Sequence, residues 1–358
     1  MRIFAFHLLN DFSGSPKVLS QLLKGWVKNN LEVHVVTCGG RNGFLSNIAD
    51  VNYHYYNYKF AKNPLIRLIN LTLSQIFIVF KMLFVLKKTD IVYVNTVLPF
   101  GGAIIGKMKG CRVIYHVHET SMKPVILKRF LFGTAKLCAQ DVIFVSNYLA
   151  KQEPFKNSKN HVIFNALEDE FLSKAIENRN SKQKQKNILL VCSLKEYKGV
   201  NEFVNLAKKL NDYTFRLVVN ASQIEIETYF INQKKPNNLT IFSIQTNLHP
   251  FYLWADLIVN FSKPSGWIET FGLTIIEGMA YGLPAIVPIV GGITELVEND
   301  INGYQIDSTN TNLLVEKITT LFENKNLYDL MSANSIVKLN NFKENNFINS
   351  SLKIIKNQ

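Results

Sequence analysis

Hydrophobic and polar positions in the first half of the chain alternate between short apolar runs and segments with helical spacing. Apolar runs with the length of buried strands lie at 2–8, 32–37, 90–95, 112–117, 141–146 and 162–165. A helix is predicted over 17–29, directly after the first run. This order is typical of βαβ units in a parallel sheet. The opening run suits a first strand better than a signal peptide, because no small-residue cleavage site follows it.

The second half repeats this alternation, which predicts a second domain of the same class. Strand-like runs lie at 187–192, 215–220, 239–243, 257–261 and 285–290, and helices are predicted over 200–210 and 273–281. The polar, charged segment before them is typical of a linker. The sequence therefore predicts an α/β protein divided as follows: a first domain over 1–172, a linker over 173–187, a second domain over 188–340 and a C-terminal helix within 341–358.

Two helical stretches of the first domain combine apolar content with positive charge. Residues 65–86 are nearly long enough to span a bilayer, but polar side chains interrupt them: Arg67, Asn70, Gln75 and Lys81. We predict a soluble helix buried on most of its surface, with a transmembrane span as the alternative. Residues 123–138 have the pattern of a basic amphipathic helix. Its apolar side is predicted to contain Ile126, Leu127, Phe130, Leu131 and Leu137, and its basic side Lys128, Arg129 and Lys136, with Phe132 among them. That pattern suits a membrane surface, and equally a half-buried surface helix.

Composition adds size and compartment to this picture. A chain of 358 residues with 47% hydrophobic and 12% aromatic residues can build two domains with substantial cores. The four cysteines are scattered, without the spacing of metal ligands: Cys38, Cys111, Cys138 and Cys192. Such usage indicates a reducing compartment and predicts neither disulfides nor a metal site.

The net charge of +13 is confined to the first half. Residues 1–165 contain 21 Lys and Arg against 7 Asp and Glu, whereas residues 166–358 contain 19 against 20. This asymmetry favours a domain that rests on anionic lipid, and hence a cytoplasmic protein peripheral to the inner face of the plasma membrane. Nucleic acid is the competing partner, but no recognition motif supports it.

The candidate chemistry is concentrated between Ser262 and Glu295. The predicted helix 273–281 begins just after Phe271-Gly272, and a helix N-terminus with its free N–H groups favours an anion such as phosphate. Glu269 precedes the helix and Glu277 lies two turns into it. Because carboxylates suit neutral hydroxyls rather than phosphate, the pair indicates a sugar or ribose beside the anion.

These residues resemble a known signature. Glu269-x7-Glu277, Gly282-x-Pro284 and Gly291-Gly292-x-x-Glu295 together are similar to the donor site of retaining glycosyltransferases of family 4 (glycosyl transferases group 1). The resemblance implies the GT-B fold, two facing Rossmann-like domains with parallel sheets and an interdomain cleft. It also implies that the C-terminal helix returns to the first domain.

The implied activity is transfer of a sugar from a nucleotide-diphospho-sugar to a hydroxyl of a glycan or lipid-linked acceptor, with retention of anomeric configuration. By the same resemblance, Glu277 holds the ribose hydroxyls and Glu269 the donor sugar. Glu295 supports the glycine turn or the donor. The remaining donor-binding positions at the helix start are Phe271, Gly272 and Leu273.

Lys198-Gly199 resembles the family's diphosphate-binding pair, which makes Lys198 the leading catalytic cation. The family has Gly-Arg a few residues earlier, where this chain has Cys192-Ser193. Lys195 is a candidate substitute for that arginine, and a solvated surface charge is the equal alternative. Since there is no Asp-x-Asp motif, no metal and no cofactor are expected.

In the first domain, the family places a functional histidine after the strand that ends near residue 117, which selects His118 as the third catalytic candidate with Glu269 and Lys198. The family's glycine-rich loop corresponds to the turn at Gly14 and Ser15, near the donor phosphates; an ordinary serine-capped turn is the alternative. The chain is rich in Lys, Asn and Ile, which is typical of proteins from AT-rich bacterial genomes. Together with the family, this favours a role in surface polysaccharide assembly. The alternative function is a catalytically silent GT-B subunit that binds nucleotide-sugar or scaffolds an assembly complex.

Overall fold

A computed structural model describes residues 1–179 and 185–357. The chain folds as two compact units. Unit 1 comprises Met1–Asn165 together with Glu344–Gln358, and unit 2 comprises Ala166–Lys343. Each unit contains a parallel β-sheet with helices in the connections, which confirms the predicted α/β class and its two Rossmann-like domains.

In the described residues the strands are β1 Arg2–Phe6, β2 Glu32–Cys38, β3 Val51–Tyr56, β4 Ile91–Asn95, β5 Arg112–Val117, β6 Asp141–Phe144, β7 Lys159–Val162, β8 Asn187–Cys192, β9 Thr214–Val219, β10 Leu239–Phe242, β11 Leu257–Val259, β12 Ala285–Val287 and β13 Gly303–Gln305. The α-helices are α1 Gly14–Lys28, α2 Pro64–Leu83, α3 Phe100–Met108, α4 Val125–Cys138, α5 Asn147–Gln152, α6 Asp169–Asn178, α7 Val200–Lys209, α8 Gln223–Tyr229, α9 His249–Trp254, α10 Leu273–Ala280, α11 Thr311–Glu323, α12 Lys325–Leu339 and α13 Glu344–Lys356.

Unit 1 has the strand order β3-β2-β1-β4-β5-β6-β7, with parallel pairing throughout the described strands. Its central strands are mainly apolar because helices cover both faces of the sheet. In β1, for example, four consecutive side chains are fully buried: Ile3, Phe4, Ala5 and Phe6. The order reverses between β1 and β4, and the carboxyl ends of strands at such a switch point are where α/β sheets bind ligands.

The C-terminal helix α13 belongs to unit 1, where it packs on α1. Trp26 of α1 is fully buried and donates its indole N–H to Ser351 Oγ at 3.0 Å. The apolar side of α13 completes the core on that face of the sheet with Phe347, Ile348, Leu352, Ile354 and Ile355.

Unit 2 has the strand order β10-β9-β8-β11-β12-β13, again parallel. One apolar cluster fills the space between the sheet and α7, α8, α11 and α12; its fully buried aromatic members include Phe203, Phe215 and Phe261. Helix α10 packs on α12 and on β11, so that its N-terminal end is fixed at the carboxyl end of β11.

The boundary between the units lies at 165/166, earlier than the predicted end of the first domain at 172. Helix α6 packs on α9 and α10 of unit 2, with Phe171 stacked on His249 at a ring distance of 4.1 Å. The predicted linker 173–187 therefore begins inside a packed helix; its residues 180–184 lie outside the described part of the chain. Up to Asn178, the polar residues that indicated a linker lie on the solvent side of α6.

The prediction that residues 65–86 are buried on most of their surface was wrong. Helix α2 covers most of this stretch, but only 28% of its most apolar part is buried. One narrow stripe faces the unit: Leu71, Ser74, Gln75, Ile78 and Met82. Helical spacing identified the element correctly, but the side that the fold covers is the more polar one.

Helix α4 also differs from its predicted pattern. Phe132, expected on the basic side, is buried, and Leu131, Ala135 and Cys138 are buried with it. Lys128, expected on the membrane-facing basic side, forms an ion pair with Glu153. The outer surface of α4 instead combines exposed apolar residues with Arg129 and Lys136.

Candidate active site

Helix α10 and the loop before it carry the two predicted glutamates of unit 2. Glu277 lies in the second turn of α10 and is almost fully buried. Its Oε2 accepts a hydrogen bond from the Tyr252 hydroxyl at 2.5 Å. Burial and the Glu277 carboxylate raise the pKa of Tyr252 well above its ordinary value, so the phenol remains a donor. Tyr252 thereby fixes the orientation of the Glu277 carboxylate.

Glu269 is paired with the predicted cation Lys198. The Lys198 ammonium donates to Glu269 Oε1, which also accepts from the Ser262 hydroxyl at 2.6 Å. Burial acts to raise the pKa of Glu269, but the Lys198 charge and the hydrogen bonds outweigh it and hold that pKa below its ordinary value. Both side chains keep a small exposed fraction, 15% for Lys198 and 16% for Glu269, so a ligand can reach the pair.

Two glycines, Gly199 and Gly291, let the backbone segments around Lys198 and Glu269 approach their neighbours closely. Gly199 has φ +75°, and a Cβ there would lie 2.2 Å from Phe261 O. Gly291 has φ +118°, and a Cβ there would lie 2.3 Å from Glu269 O. Side chains at either position would push the backbone apart. Gly291 therefore allows the Gly291-Gly292 turn to support the loop that carries Glu269.

Aromatic rings surround the Lys198 ammonium. Tyr197 and Trp267 stack with their ring centroids 6.0 Å apart, and Lys198 Nζ lies 5.1 Å from the Trp267 centroid. A cation over an indole face is attracted by the ring's charge distribution. Lys198 is thus positioned by a carboxylate and by two rings before any ligand binds.

The other predicted residues at the start of α10 have structural surroundings. Phe271 is buried and packs edge-on against Phe342, with centroids 5.7 Å apart. Gly272 has φ +155°, and a Cβ there would approach Ile293 to 2.9 Å. The bare side of this glycine therefore faces apolar packing rather than an anion. Leu273 is the first residue of α10 and is half-buried.

Lys195 and Glu295 lie in the turns that carry Lys198 and the Gly291-Gly292 pair. Lys195 is exposed and immediately precedes the short 3-10 helix Glu196–Lys198. Glu295 ends the 3-10 helix Gly292–Glu295 and is half-buried. Cys192, at the family's glycine position before arginine, brings no charge, because burial raises the pKa of its thiol to about 12.

In unit 1, His118 is part of a polar cluster at the carboxyl ends of β1, β4 and β5. Asn95 Nδ2 donates to Ser15 O at 3.1 Å, which turns Asn95 Oδ1 toward His118 Nε2 at 2.9 Å. His118 therefore donates through Nε2–H. Burial, together with the nearby His116 and His7, lowers the pKa of His118 well below its ordinary value, so the ring is neutral at pH 7.

The backbone at this cluster is strained. Thr96, a β-branched residue, has φ +70°, a conformation that costs such a residue on the order of 1–3 kcal/mol. The next N–H, that of Val97, donates to Glu119 Oε1 at 3.0 Å, and His118 N donates to Glu119 Oε2 at 3.1 Å. Burial raises the pKa of Glu119 to about 7, against the effect of these backbone donors. Strain and a displaced pKa together are typical of functional sites.

Gly14 and Ser15 form the first turn of α1 rather than a turn ahead of it. The expected serine cap is absent at this start: the Ser13 hydroxyl donates to Asp11 Oδ1 at 2.5 Å, and no side chain caps α1 there. Through its carbonyl, Ser15 holds Asn95 and is thus connected to His118.

The structure thus gathers the predicted residues into two groups, one in each unit. Sequence reasoning missed the residues that hold them: Asn95, Tyr252, Ser262 and Trp267. Asn95 ends the buried strand β4 and Ser262 follows the buried strand β11 closely, positions that could have identified them. Among the described residues, no group of three or more His, Cys, Asp or Glu side chains is arranged to hold a metal ion.

Two family models match the chain, one in each half. The model of the family "Glycosyltransferase Family 4" matches residues 12–171, and the model "Glycosyl transferases group 1" matches residues 173–337. An uncharacterized glycosyltransferase of Methanocaldococcus jannaschii is 26% identical over 262 residues, 68% of this chain and 69% of that protein. An uncharacterized 41.2 kDa protein in the cps region of Klebsiella pneumoniae is 24% identical over 320 residues, 80% of this chain and 84% of that protein.

The fold is similar to solved structures along its whole length. The crystal structure of Anabaena HepE in complex with UDP and glucose has a TM-score of 0.80 at 18% identity, with 100% of both chains covered. At this identity the similarity shows the GT-B fold alone. The two family models together cover both units, and with them the fold and the relatives establish that this chain belongs to the GT-B glycosyltransferases of the group 1/family 4 type.

Proposed function

We propose that the protein transfers a sugar from a nucleoside diphosphate sugar to a hydroxyl of a glycan or lipid-linked acceptor, with retention of configuration and without a metal. The observation that carries this proposal is the Lys198–Glu269 pair, partly exposed and held between Ser262 and Trp267. A fixed cation beside a carboxylate suits a ligand that has a diphosphate next to sugar hydroxyls.

The leaving group sets the main chemical requirement. Cleavage of the sugar–phosphate bond places negative charge on the departing diphosphate, and a preorganised cation stabilises that charge in the transition state. Lys198 supplies this charge in the proposal. Because Lys198 is already oriented by Glu269 and the two rings, little reorganisation accompanies the reaction.

The carboxylates serve the neutral parts of the donor. Glu277 accepts hydrogen bonds from the ribose hydroxyls, and the hydrogen bond from Tyr252 fixes the orientation of its carboxylate. Glu269, whose pKa is lowered, stays ionised at neutral pH and accepts from hydroxyls of the transferred sugar. In unit 1, Asn95 orients neutral His118 at the carboxyl ends of the strands, the edge at which α/β sheets bind ligands.

Two relatives support the finer parts of the proposal. Anabaena HepE has been solved with UDP and glucose and also with UDP-glucose, so UDP-sugars are the first donors to examine. The Klebsiella relative lies in a cps region, which supports a role in surface polysaccharide assembly.

The test is turnover of the purified protein alone on a panel of UDP-, GDP- and dTDP-sugars, with and without excess chelator. We expect hydrolysis or transfer that persists in chelator and yields product with the donor's anomeric configuration by NMR. Glu269→Gln should reduce turnover about 10²–10³-fold. Glu298→Gln is the matched control, since Glu298 is another lysine-paired carboxylate of unit 2, at an exposed position.

A catalytically silent subunit is the second candidate. Its support is Ser193 at the position of the family's arginine, with Lys195 exposed nearby. Donor binding without turnover by any sugar of the panel would favour it. Complete loss of turnover in chelator would instead contradict the metal-free mechanism.

A further inference from the structure

The outer surface of α2 is unusually apolar for an exposed helix. Its exposed large hydrophobic residues form a stripe along the whole helix, and Phe84, just after its end, is 89% exposed. We call this stripe the α2 face: Leu65, Ile66, Leu68, Ile69, Leu73, Ile76, Phe77, Phe80 and Phe84. From Leu65 to Phe84 it extends roughly 28 Å at the helical rise per residue. Monomeric soluble proteins rarely leave so long an apolar surface uncovered.

The polarity of α2 is inverted relative to an ordinary surface helix. Its inward stripe contains Ser74 and Gln75, and Gln75 Oε1 accepts from Gly101 N at the start of α3, at 3.0 Å. The Ser74 hydroxyl bonds back to Leu71 O at 2.7 Å. Gln75 thus connects α2 to α3, while the bulk of the Leu, Ile and Phe side chains of α2 points away. The arrangement places the apolar side toward a partner outside the unit.

The neighbouring helices extend this surface. Helix α3 packs against both α2 and α4, so the three helices form one layer on the sheet. Exposed apolar residues continue across it: Met108 at the end of α3, and Val125, Ile126, Phe130 and Leu137 on α4. Exposed cations lie among them, including Arg129 and Lys136.

The charge around the α2 face has one sign. Residues 51–89 contain six cations and no carboxylate: Lys59, Lys62, Arg67, Lys81, Lys87 and Lys88. The single carboxylate between residues 51 and 118 is Asp90, which is buried and paired with Arg2 at 2.6 Å. Lys59 and Lys62 precede the helix, while Lys87 and Lys88 follow it.

We propose that the α2 face, together with the outer surface of α4, docks unit 1 on the surface of an anionic phospholipid bilayer. Apolar side chains along a helix with cations around it are the features of an interfacial helix, which buries its apolar side at the boundary of headgroups and acyl chains. The cations meet anionic headgroups, and the absence of exposed carboxylates removes the repulsion that such a surface imposes.

The helix lies on the bilayer and does not span it. Although α2 is long enough to cross a bilayer, it connects β3 to β4, and both strands belong to the same sheet. Its buried stripe, with Leu71, Gln75 and Ile78, would leave the unit if the helix crossed. Only the outer side is therefore available to lipid.

Binding of the protein to vesicles should have an apolar and an electrostatic component. Salt weakens only the electrostatic component and so distinguishes the two. The test is flotation with phosphatidylglycerol-containing vesicles and with phosphatidylcholine vesicles, at low and high salt. We expect tight binding to the anionic vesicles, weakened by salt but not abolished. The variant Leu73→Gln, Phe77→Gln, Phe80→Gln should bind at least about tenfold more weakly. Glutamine retains helix propensity at these exposed sites, so the fold should persist.

The matched control is Ile224→Gln, Ile231→Gln, Val337→Gln, which removes three similarly exposed hydrophobic side chains from unit 2. It should bind vesicles as the unchanged protein does. Lys59→Gln, Lys62→Gln, Lys87→Gln should remove most of the preference for anionic over neutral vesicles. Neither readout requires a sugar donor.

The proposal is overturned if the α2 variant binds vesicles as tightly as the unchanged protein, if the control variant loses as much, or if the unchanged protein binds neither kind of vesicle. Light scattering without lipid tests whether a second copy of the protein, rather than a bilayer, covers the α2 face. A dimer of the unchanged protein that the α2 variant cannot form would identify a second copy, not a bilayer, as the cover of this face.

Discussion

At the scale of single residues, Lys198 and Glu269 hold each other's charge beside the rings of Tyr197 and Trp267. In the proposed reaction Lys198 acts where diphosphate charge develops, whereas Lys195 is exposed to solvent. The two lysines are therefore a natural pair for comparison, three residues apart in one segment.

Lys198→Ala should lower kcat about 10²–10³-fold, by analogy with the loss of one preorganised electrostatic donor. It should also raise the pKa of Glu269, because the cation that lowers that pKa is removed. The acid limb of the pH–rate profile should therefore move to higher pH. Lys195→Ala should leave kcat unchanged, and an equal loss in that variant would assign Lys195 to the family's arginine position.

Glu119 gives unit 1 a distinct pH dependence. Its pKa in the folded protein is about 7, above the ordinary 4.5, so the folded state holds the proton more tightly than the unfolded chain does. The contribution of this protonated carboxyl to the free energy of unfolding is complete below pH 4.5 and is lost as pH rises through about 7. The shift corresponds to roughly 3 kcal/mol at most.

Glu119→Gln removes this titration. Relative to the unchanged protein, the variant's free energy of unfolding should therefore increase between pH 5 and pH 8, as measured by urea denaturation across that range. Two curves that remain parallel with pH would show that Glu119 titrates normally.

At the scale of elements, helical and strand periodicity predicted most of both sheets. Strands β5 and β8 have the predicted bounds, because each is a mainly apolar run of which the fold buries most residues. Strand β3 escaped detection, since it lies at the sheet edge, is largely half-exposed and reads as mixed polar and aromatic. The exposed side of α2 was equally hidden, because spacing gives a helix's faces without telling which face the fold covers.

The dependence of unit 1 on α13 can be measured through Trp26, the one tryptophan that the sequence places in this unit. Leu352 is 6% exposed on α13, so Leu352→Ala should cost about 2–5 kcal/mol of unfolding free energy. The exposed Lys353→Ala is the control and should change it by less than about 0.5 kcal/mol.

Trp26 fluorescence during denaturation, with Trp254→Phe and Trp267→Phe as background, reports the unit 1 transition. An unaltered Trp26 transition in Leu352→Ala would mean that α13 does not support the core of this unit.

The candidate site could be predicted in part. Glu269, Glu277 and Lys198 follow from the resemblance of their motifs to those of the family. Their partners could not be identified this way. Tyr252 comes from α9 and Trp267 from a loop, and only the folded sheet of unit 2 brings them to Glu277 and Lys198. Asn95 likewise meets His118 and Ser15 only across neighbouring strands.

At the scale of the whole molecule, the positive charge and the proposed donor site lie in different units. The basic excess lies in residues 1–165, and the group 1 model with the Glu269-x7-Glu277 signature lies in unit 2. The proposed membrane contact and the proposed donor site thus belong to different units, and each set of variants tests one without touching the other.

Unit 1 is discontinuous in sequence, since its last segment, Glu344–Gln358, is separated from the rest by all of unit 2. A ribosome makes the chain from its N-terminus, so unit 2 is complete before α13 emerges, although unit 1 was begun first. Until then Trp26 and its neighbours on α1 lack their cover. Domains fold as units during synthesis. During synthesis, the core of the basic N-terminal half therefore stays partly uncovered until α13 is made. We expect chaperones to bind that half of the nascent chain.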